Sequence, residues 1–253
     1  MNERDIFDYL LIACFALAAL IFVALFFVNA PYGRHLRRGW GPTLNATSAW
    51  LLMETVAPVS FAVLFVLGGN PVTLTGWIFL LMWQAHYFHR AFIYPFRLPA
   101  NPRRLPLTVV LMGLTFNAVN GYLNGRYLFT FSDGYSVGWL LDPRFIAGAL
   151  IFVTGFVINR GADSTLRRLR QPGTSDYQVP QGGFYRWVSS PNYFGEILVW
   201  SGWALATWSL PGLAFALFTA ANLAPRAWAH HRWYREHFPD YPSERKALVP
   251  RLW

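Results

Sequence analysis

Two ionisable residues lie inside long apolar segments, where such groups are costly and usually serve a function. Glu54 lies in SAWLLMETVAPVSF, and Tyr87 lies in HYFHRAFIYPF. A buried phenol oriented by a carboxyl group can donate a hydrogen bond to a carbonyl oxygen as negative charge develops there. Glu54 and Tyr87 are therefore a candidate catalytic pair. The alternatives are that Glu54 reaches the membrane interface and that Tyr87, with Tyr94, belongs to an interfacial aromatic belt.

The stretch NRGADSTLRRLRQPG, residues 159–173, combines arginines with a carboxylate. Asp163, Arg167 and Arg170 are spaced i, i+4, i+7, and Asn159 lies one turn earlier, so all four share one helix face. Guanidinium groups bind phosphate in a bidentate fork, so this face suits a ligand with phosphates and a ribose. An amphipathic basic helix lying on anionic lipid explains the spacing equally well.

Two later segments carry polar residues at every fourth position, namely Asn192, Glu196 and Trp200 in one, and Arg226, His230 and Tyr234 in the other. If these two stripes faced each other, their side chains would line a cavity. The alternative is scattered polar residues satisfied by interhelical hydrogen bonds. A GxGxxG motif after a predicted strand is missing from the sequence, so a Rossmann dinucleotide site is not supported.

Metal and disulfide chemistry find little support in the sequence. His86 and His89, at i, i+3, could share a metal ion, but no nearby carboxylate completes a ligand set, so no metal site is predicted. Cys14 is the only cysteine. An intramolecular disulfide framework and a cysteine-based metal cluster are therefore excluded.

The composition is that of a membrane protein. The 253 residues are 55% hydrophobic and 13% charged, whereas soluble domains carry about 25% charged residues. Apolar runs long enough to cross roughly 30 Å of hydrocarbon predict an all-α protein of about seven transmembrane helices, at residues 7–29, 46–67, 73–96, 106–124, 144–160, 193–209 and 212–235. The acids before the first run, without a small-residue cleavage site, predict a retained span rather than a signal peptide. We expect one polytopic domain over residues 1–253.

Basic residues indicate the orientation of these spans. They concentrate in alternate loops and the C-terminal tail, at Arg34, Arg37, Arg38, Arg97, Arg103, Arg104, Arg160, Arg167, Arg168, Arg170, Arg186, Arg226, Arg232, Arg235, Arg245, Lys246 and Arg251. The opposite side holds only Arg4, Arg126 and Arg144. The positive-inside rule then predicts an N-terminus outside and a C-terminus in the cytoplasm. The net charge of +9 is explained by topology and an anionic partner better than by nucleic-acid binding.

After Asn159 the chain contains the motifs QPG, VPQGG, SSPNYFGE, WALATWSLP, HHRWY and DYPSERKALVP, and further upstream it contains HYFHR, Glu54 and the loop PYG at 31–33. With these motifs the chain resembles the steroid 5α-reductase (3-oxo-5α-steroid 4-dehydrogenase) family. The resemblance implies NADPH-dependent reduction of the C4=C5 double bond of a 3-oxo-Δ4-steroid. Hydride would pass to C5 while the carbonyl oxygen takes up charge. The short chain, without an organelle retention signal, indicates a bacterial-type member in the inner (cytoplasmic) membrane, expected to act as a monomer.

The resemblance also implies roles for individual residues. Glu54 and Tyr87 would hydrogen-bond the 3-keto oxygen, with Trp50 and Glu196 lining the steroid. The cofactor would be held by Tyr32, Asn159, Asp163, Arg167, Arg170, Tyr177, Asn192, Trp200, Arg226, His230 and Tyr234. Helices in residues 1–143 would then form the substrate side, and residues 144–253 would form the NADPH-binding module.

Two positions depart from the family pattern. Met53 stands where many relatives have Gln before the site glutamate, and Gln178 occupies a position that is often basic. Both affect substrate preference and cofactor affinity rather than the reaction class. The alternatives are another membrane sterol or enoyl-lipid reductase, an isoprenylcysteine-type methyltransferase, or a non-catalytic lipid-binding protein. The Glu54–Tyr87 pair and the arginines around 159–170 favour a phosphorylated dinucleotide over a methyl donor.

Overall fold

The fold is known from a computed structural model that describes residues 1–28, 40–97, 104–169 and 177–253. Seven α-helices run through these ranges: α1 (Glu3–Phe27), α2 (Ala46–Val66), α3 (Leu74–Tyr87), α4 (Leu107–Arg126), α5 (Pro143–Leu169), α6 (Pro191–Thr207) and α7 (Leu210–His237). Each helix corresponds to one of the apolar runs in the sequence. The ends differ by a few residues, except that α3 gives way to a π-helix after Tyr87 and that α5 continues through the basic stretch to Leu169.

Short irregular helices and one small ribbon complete the architecture. Beyond α3 the chain continues as a π-helix (Phe88–Ile93) and a 3-10 turn (Pro95–Arg97), and beyond α4 as a π-helix (Tyr127–Phe131). Two short 3-10 helices, Val137–Leu141 and Gly183–Arg186, precede α5 and α6. The ribbon pairs β1 (Thr43–Asn45) with β2 (Arg104–Pro106) in antiparallel register, Leu44 opposite Leu105. The sequence did not predict this ribbon, because strands of three residues carry no readable alternation.

Polar residues just before the helices explain where they begin. The side chains of Asn2, Asn45, Thr73 and Ser209 each accept a hydrogen bond from a backbone N–H in the first turn of α1, α2, α3 and α7. Asp142 accepts one from the backbone of Arg144 at the start of α5, at 2.8 Å. Such caps satisfy N–H groups that have no partner within the helix.

Contacts between helix ends and connecting loops show that successive helices are antiparallel. Glu3, at the start of α1, pairs with Arg126 at the end of α4, with 2.7 Å between Arg126 Nη2 and Glu3 Oε2. Asn70, between α2 and α3, donates to the Ser132 carbonyl at 3.1 Å. Tyr135 donates to the carbonyl of Thr207, at the end of α6, at 2.7 Å. The N-terminus and these connections therefore share one end of the bundle.

The opposite end holds the ribbon, the start of α6 and the chain's C-terminal segment. Val188 forms an isolated bridge with Lys246, and Ser189 Oγ lies 2.6 Å from His231 Nδ1. The two chain termini thus lie at opposite ends, as an odd number of antiparallel helices requires.

Glycines allow α5 and α6 to pack with their backbones in contact. A methyl group added to Gly155 would lie 2.6 Å from the carbonyl oxygen of Gly195, and one added to Gly202 would lie 2.5 Å from the carbonyl oxygen of Gly148. We call Gly148, Gly155, Gly195 and Gly202 the glycine seam. Close backbone contact through small residues is typical of helix packing in membranes.

Three helices in the described ranges are long and apolar enough to cross a membrane by length and composition: α1, α2 and α5. The structure thus fits an all-α membrane protein. Helices α3 and α6 are shorter, with 14 and 17 residues, although the irregular turns after α3 extend its path to Arg97. Seven spans and their orientation stay predictions.

Candidate functional site

Tyr87 is the last residue of α3 and is only 2% exposed. Its ring lies against Trp83 and Trp200, with centroid distances of 5.1 and 5.7 Å. Trp83 is fully buried and stacks on Phe61 at 4.4 Å. The aromatic core therefore restricts the phenol ring. Its hydroxyl donates to Asn117 Oδ1 of α4 over 3.4 Å.

Glu54 lies in the third turn of α2 and faces the π-helix that follows Tyr87. Its Oε1 lies 3.8 Å from Nε of Arg90, whose guanidinium covers the ring of Trp50 at 4.7 Å. A π-helix widens the turn and redirects the side chains that follow it, which turns Arg90 back towards α2. Glu54 and Tyr87 interact electrostatically, but the hydroxyl has Asn117 as its hydrogen-bond partner. The catalytic pair expected from the sequence thus shares one cluster, without the direct hydrogen bond that the hypothesis assumed.

Glu196 of α6 connects the phenol cluster to α5. Its Oε1 lies 3.3 Å from His86 Nε2 and accepts a hydrogen bond from Trp200 Nε1 at 3.0 Å. Its Oε2 accepts from Asn159 Nδ2 at 2.9 Å. Three donors around one buried carboxylate form a rigid network. His86, considered in the sequence only as half of a metal pair, is in fact part of this network.

The polar face of α5 meets α6, a contact that the spacing within α5 did not predict. Asn159 also donates to the backbone carbonyl of Asn192 at 2.9 Å, and Asn192 Nδ2 lies 3.4 Å from Asp163 Oδ1. One turn further, Arg167 donates to Ser164 at 3.1 Å. The glycine seam brings the two backbones together directly below this network, since Gly195 packs against the backbone of Asn159. Arg170 lies outside the described residues.

The stripe on α7 contacts α6 at Tyr193. Arg226 Nη2 donates to the Tyr193 hydroxyl at 3.2 Å, and the His230 ring lies 5.5 Å from that of Tyr193. Tyr234 stacks on Tyr241 at 5.4 Å. The two stripes are thus adjacent on the bundle, and Tyr193 joins them.

Tyr177 and Tyr32 are the remaining candidate cofactor residues. Tyr177 packs against Trp233 of α7, with ring centroids 5.1 Å apart. Tyr32 falls outside the described residues, as do the arginines of the first loop.

The donor set at this end of the bundle fits a phosphorylated dinucleotide better than a metal ion. Arginine, asparagine and aspartate from three helices supply the groups that bind phosphate and ribose. His86 Nδ1 is buried and lacks a hydrogen-bond partner among the described residues, so a polar ligand group could pair with it. Within the same ranges, no three His, Cys, Asp or Glu side chains come together as a metal site.

Asn117, Asn120 and Asn124 of α4 are residues that the sequence reasoning missed. All three are buried inside an apolar helix, and buried polar groups in membrane helices are usually functional or hydrogen-bonded. Their i, i+3, i+7 spacing was a readable signal, because it places them on one helix face.

A buried carboxylate–phenol cluster inside a helical membrane bundle is typical of the active site of a membrane enzyme. Comparison with known proteins identifies its kind. A profile of the 3-oxo-5-alpha-steroid 4-dehydrogenase family matches residues 103–253. The steroid 5-alpha-reductase of Gossypium hirsutum is 41% identical, covering 100% of this chain and 99% of that protein.

Animal proteins are equally similar. The 3-oxo-5-alpha-steroid 4-dehydrogenase 1 of Bos taurus is 40% identical over 100% of this chain and 99% of its own length. The 3-oxo-5-alpha-steroid 4-dehydrogenase 2 of Homo sapiens is 42% identical over 92% of each chain. This chain therefore belongs to the 3-oxo-5-alpha-steroid 4-dehydrogenase family and is an oxidoreductase.

Proposed function

We propose that this protein reduces the C4=C5 double bond of 3-oxo-Δ4-steroids to 5α-steroids with NADPH as the reductant. The names of its relatives support the reaction class and the substrate class. The observation that carries the proposal is the buried cluster in which Tyr87, Glu54 and the His86–Glu196 pair meet at the junction of α2, α3 and α6. It combines a hydrogen-bond donor for a ketone with surroundings from which water is excluded.

In this mechanism the Tyr87 hydroxyl donates to the 3-keto oxygen. As hydride adds to C5, the electron pair of the double bond moves through C4 and C3 onto that oxygen, and C4 then takes up a proton. Glu54, held by Arg90, fixes the polar surroundings of the oxygen, and Trp50 would line the steroid. A donor aimed at a developing oxyanion in a water-free site contributes about 3 kcal/mol.

NADPH, when bound, would supply the hydride. We assign its binding to Asn159, Asp163, Arg167 and Asn192 on the α5–α6 face, to Arg226, His230 and Tyr234 on α7, to Tyr177, and to Tyr32 and Arg170, which lie outside the described residues. Trp200 and Glu196 would lie where nicotinamide and steroid meet, because Trp200 packs against the Tyr87 ring and Glu196 bonds both Trp200 and His86. Residues 144–253 would thus hold the cofactor and residues 1–143 the steroid.

The bundle would cross the membrane seven times, with the N-terminus outside and the C-terminus in the cytoplasm, in the inner membrane of a bacterium. A lipophilic steroid or steroid-like enone would reach the site from the lipid. The charged cofactor would reach it from the cytoplasm, where the basic residues concentrate. The protein would act as a monomer.

The test is turnover by matched tyrosine variants in detergent. Tyr87→Phe removes the proposed donor, and Tyr135→Phe removes a partly buried phenol that bonds the backbone at the other end of the bundle. We expect Tyr87→Phe and Glu54→Gln to abolish reduction of a Δ4-3-ketosteroid while NADPH is still retained. Tyr135→Phe should keep the wild-type rate.

Wild-type turnover by Tyr87→Phe or Glu54→Gln would contradict the assigned roles. Copurified S-adenosyl compounds instead of NADP would favour the methyltransferase alternative. A preference for non-steroid enones would favour an enoyl-lipid reductase.

A further inference from the structure

The face of α4 that looks into the bundle carries three buried amides. Asn117, Asn120 and Asn124 are 7%, 4% and 1% exposed. Burying a primary amide without hydrogen bonds costs several kcal/mol in an apolar medium. Their hydrogen bonds therefore decide whether they only stabilise helix packing or also serve the site.

The hydrogen bonds of this asparagine face run towards Tyr87. Trp203 Nε1 donates to Asn124 Oδ1 at 2.9 Å, and Asn124 Nδ2 donates to Asn120 Oδ1 at 2.9 Å. The Asn120 oxygen is thus occupied. Its Nδ2 is buried without a hydrogen-bond partner in the described part of the chain.

Asn117 has a fixed orientation. Its Nδ2 donates to the backbone carbonyl of Met53 at 2.7 Å. Only the amide nitrogen can donate to a carbonyl, so Oδ1 must be the atom that faces the Tyr87 hydroxyl. Met53 directly precedes Glu54, so Asn117 joins the phenol to the turn of α2 that carries the acid.

The bond from Tyr87 to Asn117 is long, at 3.4 Å, whereas the usual O–H···O distance is about 2.7–2.8 Å. A hydrogen bond of ordinary length from Tyr87 to a ketone oxygen would be stronger than this long bond to Asn117. A substrate can therefore displace Asn117 from the hydroxyl at little cost. The same displacement leaves Asn117 bound to Met53 and in place.

We propose that Asn117 is a positioning residue for Tyr87, holding the phenolic hydroxyl between α2 and α4 until a ketone oxygen takes its hydrogen bond. This inference rests on the proposed function, because it assigns the phenol the role of donor. Asn117 itself would touch neither the steroid nor the cofactor.

Asn117→Leu and Gln84→Leu test the idea as a matched pair. Gln84 Nε2 of α3 donates to the backbone carbonyl of Pro58 in α2 at 2.9 Å. Like Asn117, it therefore connects a neighbouring helix to α2 through a side-chain amide, but it does not bond the Tyr87 hydroxyl. We expect kcat of Asn117→Leu to fall about 10- to 100-fold with KM for NADPH unchanged, since a misplaced catalytic group costs that much. Gln84→Leu should lower thermal stability alone.

Asn117→Asp provides a second readout that a structural role would not give. A protonated carboxyl group can donate to Met53 and accept from Tyr87, whereas a carboxylate cannot donate. The ratio of its kcat to that of the wild type should therefore rise as pH falls, while the ratio for Asn117→Leu stays constant.

The inference is overturned if Asn117→Leu keeps the kcat of Gln84→Leu, or if the Asn117→Asp ratio does not change with pH. If Asn117→Leu fails to fold, the Asn117→Asp ratio decides. Wild-type protein that reduced no Δ4-3-ketosteroid would overturn the proposed function and this inference with it. Loss of the kcat effect alone, with wild-type turnover intact, removes only the inference.

Discussion

Replacing Gly155 by alanine tests how the fold builds the site. The added methyl group would lie 2.6 Å from both the Gly195 carbonyl oxygen and the Val199 backbone nitrogen. Neither is a flexible side-chain end, so the helices themselves must move. They would separate by about 0.8 Å before that methyl reached an ordinary contact of 3.4 Å.

The same movement reaches the site, because Asn159 lies one turn from Gly155. Its 2.9 Å hydrogen bond to Glu196 would lengthen to about 3.7 Å, beyond hydrogen-bonding distance. Overpacking of this kind costs about 1–3 kcal/mol of stability. We expect Gly155→Ala to lower the midpoint of thermal unfolding and to weaken NADPH binding by about tenfold.

Gly161→Ala is the matched control, because it lies on the same helix and a methyl group there meets nothing within 4 Å. It should raise stability by about 0.5–1 kcal/mol, the gain in helix propensity of alanine over glycine. Both variants are measured in detergent by thermal unfolding and by titration of NADPH. Equal midpoints and equal NADPH affinities for the two variants would refute the account of the glycine seam.

Two further predictions concern the ends of the bundle. Ser189→Ala removes the hydroxyl that His231 and Tyr241 share at 2.6 and 2.7 Å. We expect the free energy of unfolding to fall by about 1–3 kcal/mol and the C-terminal segment to be cleaved faster by protease. An unchanged rate of cleavage would contradict this role of Ser189. Hydrogen bonds from Arg144 lower the pKa of Asp142 to about 2. Because this folded-state pKa lies below the ordinary value of 3.8, the carboxylate stabilises the fold above that value, and this stability is lost as pH falls through about 2. Asp142→Asn should therefore flatten the acid limb of the unfolding midpoint, and an unchanged limb would count against the role of this cap.

Helix number and approximate position were predictable, since apolar runs long enough to span a bilayer are a strong signal. The i, i+4 spacing also predicted that Asn159 and Asp163 share one face of α5, and in the structure both contact Asn192. In each case periodicity within one helix carried the information.

The partners of individual side chains were not predictable, because they depend on how helices pack. Tyr87 bonds Asn117 rather than Glu54 because α4, not α2, presents an acceptor to the hydroxyl. The π-helix after Tyr87 also escaped the sequence, and it is what turns Arg90 towards Glu54. Spacing along one helix cannot indicate either contact.

The most direct test of the account is transfer of deuterium from NADPH labelled at the reactive carbon of its nicotinamide. Purified protein in detergent is incubated with the labelled cofactor and a Δ4-3-ketosteroid, and the product is analysed by mass spectrometry and NMR. We expect a saturated ketone with deuterium at C5 on the α face. Deuterium at the carbonyl carbon, giving an alcohol, or no transfer at all, would contradict it.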